Sequence, residues 1–293
     1  MGKLHRYFLQ ILILFEALVE NQGNAHNIQG QSHQCKEPQF FGRKIIPEPQ
    51  VEFCQKLSIS TDTTIPKMKA FVVGATGGVG KILVNELAKK KEFEKVTLIT
   101  RRKLELPQGV EGADFNKIEQ KIVDFDKLEA NHAADFEGYD VGFCALGTTR
   151  GKSGKDGFHK VDHDYVVGSA KLAKAGGCKH FQLVSSGGAN KDSWFLYPQT
   201  KGQVEQEITA MNFERLTIWR PNLLLVERED SRLAERFLQV VVGPLDRGRF
   251  FSMEVPVLAK VMVDYCFKPA KSAVEIIGNR DIHFMSQGQD KSE

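Results

Sequence analysis

Apolar residues recur along this chain with two alternating periods. Residues 69–73 form a short apolar run that breaks into glycines at Gly74, Gly77 and Gly80, and the chain then enters Ile82-Leu83-Val84-Asn85-Glu86-Leu87-Ala88, where apolar positions return at helical spacing. This pattern predicts a strand, a glycine turn and a helix. Further apolar runs at 95–100, 121–125, 139–147, 180–186 and 216–220 predict five more strands, and residues 161–175 and 197–211 predict helices between them. Short strands alternating with helices imply right-handed βαβ units, and hence an α/β fold with a doubly wound, Rossmann-like parallel sheet. In that architecture a ligand sits outside the carboxyl ends of the strands, near the point where the strand order switches.

The glycine turn gives that ligand a chemistry. Three glycines between a strand and a helix let the backbone approach a pyrophosphate, and the free N–H groups of the helix N-terminus face its negative charge. The spacing is G-x-x-G-x-x-G, and glycines alone also make ordinary tight turns; the flanking strand and helix favour the dinucleotide site. The second strand runs into Thr100-Arg101-Arg102, where an NAD site commonly places an acid on the ribose hydroxyls. Two guanidinium forks at that place suit a 2′-phosphate, so NADPH is expected over NADH; a solvated basic loop is the bland alternative.

Ser185 and Ser186 close the fifth strand, and Tyr197 and Lys201 follow at i and i+4, on one face of a helix. Reduction of a small carbonyl compound needs a proton donor beside the oxygen, a cation near that donor and a hydrogen bond to hold the carbonyl. Tyr197, Lys201 and Ser186 offer those three roles, against the plain reading of an exposed Tyr and Lys on an amphipathic helix. Cys144, at the end of the fourth strand, reads as a packed small residue rather than a reactive thiol. His159, His163 and His180 are scattered without metal-ligand spacing, and no metal is expected.

Composition adds limits. With 293 residues, 41% hydrophobic and 26% charged, the chain is long enough for one large domain, and a net charge of +3 gives no case for nucleic acid as the main partner. Five cysteines, Cys35, Cys54, Cys144, Cys178 and Cys266, lie far apart with no C-x-x-C pair, which suits a reducing compartment.

The first part of the chain follows another pattern. Lys3, His5 and Arg6 precede an apolar run over 7–19, broken by Gln10 and Glu16 and followed by Gly23-Asn24-Ala25. This looks like a signal peptide with its cleavage site, and it falls short of the roughly 20 apolar residues of a membrane span. A helix on a membrane surface and an unselected extension are the other readings. Residues 21–65 are rich in Gln, Asn, Ser, Thr and Pro without period, as in a linker or disordered tail. The expected division is an extension at 1–66, a NAD(P)-binding Rossmann-like domain at 67–285 and a tail at 286–293.

With Gly74-Ala75-Thr76-Gly77-Gly78-Val79-Gly80, the paired serines and Tyr197-x-x-x-Lys201 assembled, the sequence resembles the short-chain dehydrogenase/reductase superfamily. More narrowly it is similar to the Tat-interacting protein oxidoreductase family, an atypical branch. The narrower resemblance rests on the runs VTLITRRKL at 96–104, DVGFCALGTTRGK at 140–152 and LAKAGGCKHF at 172–181, and it covers roughly residues 67–281. It implies NADPH contacts at Gly74, Thr76, Gly77, Gly78 and Val79, at Arg101 and Arg102, at Leu146 and Gly147, at Tyr197 and Lys201, and at Leu224 and Arg232. It also implies a second class of role, an NADPH-gated regulator that binds nuclear import receptors of the importin type. The compartment expected is the cytoplasm, with the nuclear envelope as a station and residues 1–25 carrying the competing signal-directed or membrane-surface reading. Two positions depart from pattern. Asn222 stands where the family is expected to have glycine, and Asp162 stands where many members of the superfamily use Asn in a proton relay; an ionised carboxylate cannot donate there. Residues 226–267 carry Arg228, Arg232, Arg236, Arg247 and Arg249 among apolar residues, and are expected to form the substrate-side wall or a partner surface.

Overall fold

Ala70, Phe71, Val72 and Val73 are shut off from solvent on both faces, as a parallel strand must be when helices cover it from either side. They belong to β1 (Met68–Val73), an interior strand of the sheet. The computed structural model describes residues 67–107, 109–148, 150–225 and 252–289. The expectations placed on 1–66, and on Arg228, Arg232, Arg236, Arg247 and Arg249, lie outside those residues.

From β1 the chain makes α1 (Gly78–Lys89), β2 (Phe93–Thr100) and β3 (Ile118–Ile122), then β4 (Val141–Cys144), α2 (Arg150–His159), a π-helical turn (Lys160–Asp164) and α3 (Tyr165–Ala175). Next come β5 (His180–Val184), α4 (Leu196–Ala210), β6 (Arg215–Arg220) and a short β7 (Leu223–Leu225). The described chain ends with β8 (Ser252–Glu254), α5 (Val255–Asp264), β9 (Val274–Gly278) and α6 (Asn279–Ser286). Seven strands pair in the order β3-β2-β1-β4-β5-β6-β9, and every pairing is parallel. The strand order reverses between β1 and β4, which makes the crevice above those two strands the switch point where ligands bind.

Alternate residues of the central strands feed two cores. Ala70, Val72 and Leu98 join α1 (Leu83, Leu87) and α5 (Leu258, Met262) on one face, while Phe71, Val73 and Ile99 join α3 (Val167, Ala170) and α4 (Val204, Ile208) on the other. Residues 255–263 are therefore largely core of the cofactor-side layer rather than a substrate wall, contrary to expectation; their apolar stripe is needed to cover α1 and the sheet.

Several boundaries move for local reasons. The third strand was expected over 121–125 and forms as Ile118–Ile122, because Asp124 accepts from the Asp126 N–H at 3.0 Å and caps a 3₁₀ turn that takes Phe125 out of the sheet. The helix expected at 161–175 starts earlier and is interrupted by the π-helical turn, whose Tyr165 N–H bonds back to the Lys160 carbonyl in the i→i+5 pattern. β9 pairs with β6 at the sheet edge and had no counterpart in the expected strands. α6 runs to Ser286, where a tail was expected to begin.

Candidate functional site

At the carboxyl end of β1 the backbone is packed too closely for side chains. Gly74 has φ of 88°, and a Cβ there would lie 2.5 Å from the Ala145 carbonyl carbon of the neighbouring β4 end. A Cβ on Gly80 would lie 2.1 Å from the Gly74 carbonyl oxygen, so α1 can start this close to β1 only with glycine there. The Gly77 N–H donates to the Gly74 oxygen at 2.9 Å and folds the turn. α1 begins at Gly78 with no side-chain cap and no acidic residue in its first turn. Its first N–H groups thus keep their positive pole for an anion, and the bare glycine cradle gives a pyrophosphate room to approach them. Thr76 is exposed and Gly77 and Gly78 are half-buried, whereas the Val79 side chain is in the core. Val79 can therefore serve an anion only through its backbone.

Arg101 and Arg102 stand exposed just after β2, where the Thr100 hydroxyl donates to the Arg102 carbonyl at 2.7 Å and turns the chain. Arg101 also adds to the positive field on Asp126, whose carboxyl is held below the usual range chiefly by its hydrogen bonds from Lys160 and Tyr165.

Across the switch point the site is made of side chains. Leu146 and Gly147 leave β4, and a Cβ on Gly147 would lie 3.4 Å from Asp162 Oδ1 and 4.0 Å from Lys201 Nζ. Asp162 Oδ1 is 2.9 Å from Lys201 Nζ, in an ion pair that is almost wholly buried. Asp162 Oδ2 accepts the Thr148 N–H at 2.7 Å, so both carboxylate oxygens are engaged. Burial pulls the Lys201 ammonium toward a lower pKa, but the Asp162 carboxylate and the Tyr197 phenol more than reverse it and hold Lys201 above its ordinary value. Tyr197 lies one helical turn earlier on α4, 41% exposed at the mouth of the site, with its ring 5.8 Å from that of Phe158. Trp194 and Phe195, 99% and 43% exposed, precede it. They were not singled out in the sequence, although an aromatic cluster directly before Tyr197 was visible there.

The two serines part company. Ser185 Oγ donates to Glu205, which is itself bound by Arg220 through Nε at 3.0 Å. Ser185 is thereby tied to the scaffold, and Ser186 is buried just beyond the end of β5. Asn222, where glycine was expected, lays its side chain against Gly187, the residue after Ser186: a Cβ on Gly187 would lie 1.9 Å from Asn222 Oδ1. The Asn222 N–H donates to Asn279 Oδ1 at 2.9 Å, which ties the end of β6 to α6. Beyond it Leu224, half-buried, pairs with Met253 in the β7–β8 ladder, while Arg232 is outside the described residues.

Cys144 is fully buried, and burial pushes its thiol up to about 11, so it is inert as expected. Burial and then the nearby Arg215 push the His180 imidazole down to about 3, and its Nε2 lies 2.9 Å from the Thr217 hydroxyl. His159 and His163 are not scattered: their rings stack at 4.6 Å, beside Asp164. The signal was their i, i+4 separation. Among the described residues no helix is long and apolar enough to cross a membrane.

A parallel sheet in this order and a glycine cradle below an uncapped helix define an NAD(P)H-binding, oxidoreductase-like protein. The NAD(P)H-binding family model matches residues 74–237. Protein HTATIP2 of Rattus norvegicus is 43% identical over 236 residues, covering 80% of this chain and 96% of the relative, and the chain belongs to the HTATIP2, or Tat-interacting protein, family. Protein fmp52, mitochondrial, of Aspergillus fumigatus is 32% identical, covering 72% and 95% of the two chains. Among solved structures, the oxidoreductase ylbE of Lactococcus lactis has a TM-score of 0.54 at 19% identity, covering 75% of this chain and 96% of that one. MoeE5 in complex with UDP-glucuronic acid and NAD has a TM-score of 0.55 at 14% identity, covering 72% and 75%. At such identities these two speak for the fold alone.

Proposed function

We propose that this protein is an NADPH-dependent reductase of small carbonyl compounds. The observation that carries the reading is the buried Asp162–Lys201 pair beside Gly147, with Tyr197 one turn away at the mouth of the crevice. Bound NADPH would supply the hydride. Tyr197 gives its phenolic proton to the substrate oxygen, and the Lys201 ammonium favours the tyrosinate left behind. Ser186 donates a hydrogen bond to the carbonyl and fixes its direction. Asp162 does not relay the proton; it fixes Lys201 and keeps it charged. The N–H groups of Gly77, Gly78 and Val79 would hold the pyrophosphate with Gly74 and Thr76 beside it, Arg101 and Arg102 the 2′-phosphate, and Leu146, Gly147, Leu224 and Arg232 the rest of the cofactor. Trp194 and Phe195 make a rim suited to an apolar substrate.

Tyr197→Phe tests this reading in two assays. It removes the hydroxyl and keeps the ring, so NADPH oxidation across a panel of aldehydes and ketones should fall by about 10²–10⁴-fold, while NADPH affinity stays near that of the unmodified chain. If the unmodified chain turns over nothing in the panel, and capture of an import receptor depends on NADPH but ignores Tyr197→Phe, the protein is a cofactor-gated binder and the reductase reading fails.

A further inference from the structure

The π-helical turn at Lys160–Asp164 has two sides, and the reductase reading uses only one. Asp162 points inward to Lys201; His163 and Asp164, with His159 from the end of α2, gather on the outer side. We propose that His159, His163 and Asp164 form a binding site for a divalent transition-metal ion of the zinc class, with Glu207 of α4 as its outer partner.

The geometry comes from the turn. In an α-helix His159 and His163 share a face, but Asp164, five residues on from His159, would lie well round the cylinder. A π-helical turn closes i→i+5 and brings that position back beneath the first histidine. The result is that the ligand atoms of the three residues lie within 4.8 Å of one another. His159 Nδ1 is 3.4 Å from Asp164 Oδ1 and His163 Nδ1 is 2.9 Å from the same oxygen. Around a tetrahedral zinc ion with bonds of about 2.0–2.1 Å, neighbouring ligand atoms stand about 3.3 Å apart. The first separation already matches, and the second must open by only a few tenths of an ångström.

Glu207 supplies an independent reason. A metal-binding imidazole characteristically gives its other ring N–H to a carboxylate, which fixes the tautomer and raises the basicity of the metal-facing nitrogen. His163 Nε2 is 2.8 Å from Glu207 Oε1, so Nδ1 is the nitrogen aimed at the cluster. Two imidazoles and one carboxylate favour zinc, cobalt or nickel over magnesium and calcium, which take oxygen ligands. Three protein ligands leave the fourth position to water.

The test is titration of the full-length chain with Co²⁺, read by the intense visible bands of tetrahedral cobalt, with Zn²⁺ competing the signal away. The expected result is one equivalent bound with that spectrum, its loss in His159→Ala/His163→Ala, and roughly ten- to hundredfold weaker binding in Glu207→Gln, the range for loss of an outer carboxylate. Residues 1–66 contain His5, His26, His33, Cys35 and Cys54, which can bind metal on their own account. The double histidine variant therefore decides: a spectrum and affinity unchanged in it would overturn the site, as would octahedral cobalt in the unmodified chain. Thermal unfolding of each variant without metal shows that the fold has survived. If His159→Ala/His163→Ala proves unfolded, Asp164→Asn takes its place, with affinity unchanged again counting against the site.

Discussion

The two halves of the crevice are made of different materials. At the carboxyl end of β1 the contacts are backbone against backbone: the Gly74 carbonyl receives the Gly77 N–H, and Gly80 fits beneath it because it has no side chain. Across the switch point, Lys201 is held by Asp162, Asp162 by the Thr148 N–H, Ser185 by Glu205 and Glu205 by Arg220. At Gly74 and Gly80 the first half tolerates no added atom. The second tolerates no lost partner, because Asp162, Lys201, Ser185 and Glu205 are buried with their charge or hydrogen bond satisfied by specific neighbours.

That contrast can be broken most forcefully at Asp162. Asp162→Leu leaves the Lys201 ammonium buried without its counter-charge and should cost about 3–5 kcal/mol of stability, measured by urea unfolding. Asp162→Leu combined with Lys201→Met should recover most of it; if the double variant is as unstable as the single one, the pair is not the source of the loss. On the backbone side, Gly80→Ala should cost about 1–3 kcal/mol by overpacking, and NADPH should no longer raise the melting temperature. Normal cofactor stabilisation in that variant would mean the cradle is less tight than the 2.1 Å approach indicates. Smaller again, the Arg101→Ala/Arg102→Ala chain should lose a preference for NADPH over NADH of roughly tenfold, or about 1.4 kcal/mol, in a binding titration of both cofactors. The smallest change sharpens the comparison within one strand end. Ser185→Ala should lower stability by about 1 kcal/mol and spare turnover, whereas Ser186→Ala should do the reverse, raising KM or lowering kcat with little change in unfolding.

How much of this could be read beforehand follows the same division. The glycine turn was legible because strand, turn and helix are contiguous, and the constraint that selects glycine acts over seven residues of chain, from Gly74 to Gly80. The strand ends that carry Arg101, Leu146 and Ser186 were legible for the same reason. Asp162 was noticed as a departure from pattern, but its partnership with Lys201 depends on how α3 and α4 pack, which no local period encodes. The π-helical turn was missed because its five residues, Lys160 to Asp164, carry a single apolar position, Val161, so no period marks a change from i→i+4 to i→i+5 bonding, and with it went the meeting of His159 with Asp164. β3 slid by three residues because Asp124 acts as a cap, a choice invisible in a run where Ile122, Val123 and Phe125 all favour a strand. β9 needed the sheet itself, since a single edge strand after a long interval has no alternation to announce it.

The ion pair at Lys201 also bears on the entropy of cofactor capture. A free lysine side chain gives up roughly 1.5–2 kcal/mol of rotamer freedom when it is fixed. Here Asp162 fixes it during folding, before any nucleotide arrives. The ordering is therefore complete in the resting chain, and on the proposed reading an incoming dinucleotide would meet a cation already aimed rather than one it must recruit. On the reductase reading proposed above, each turnover would then begin from a primed site.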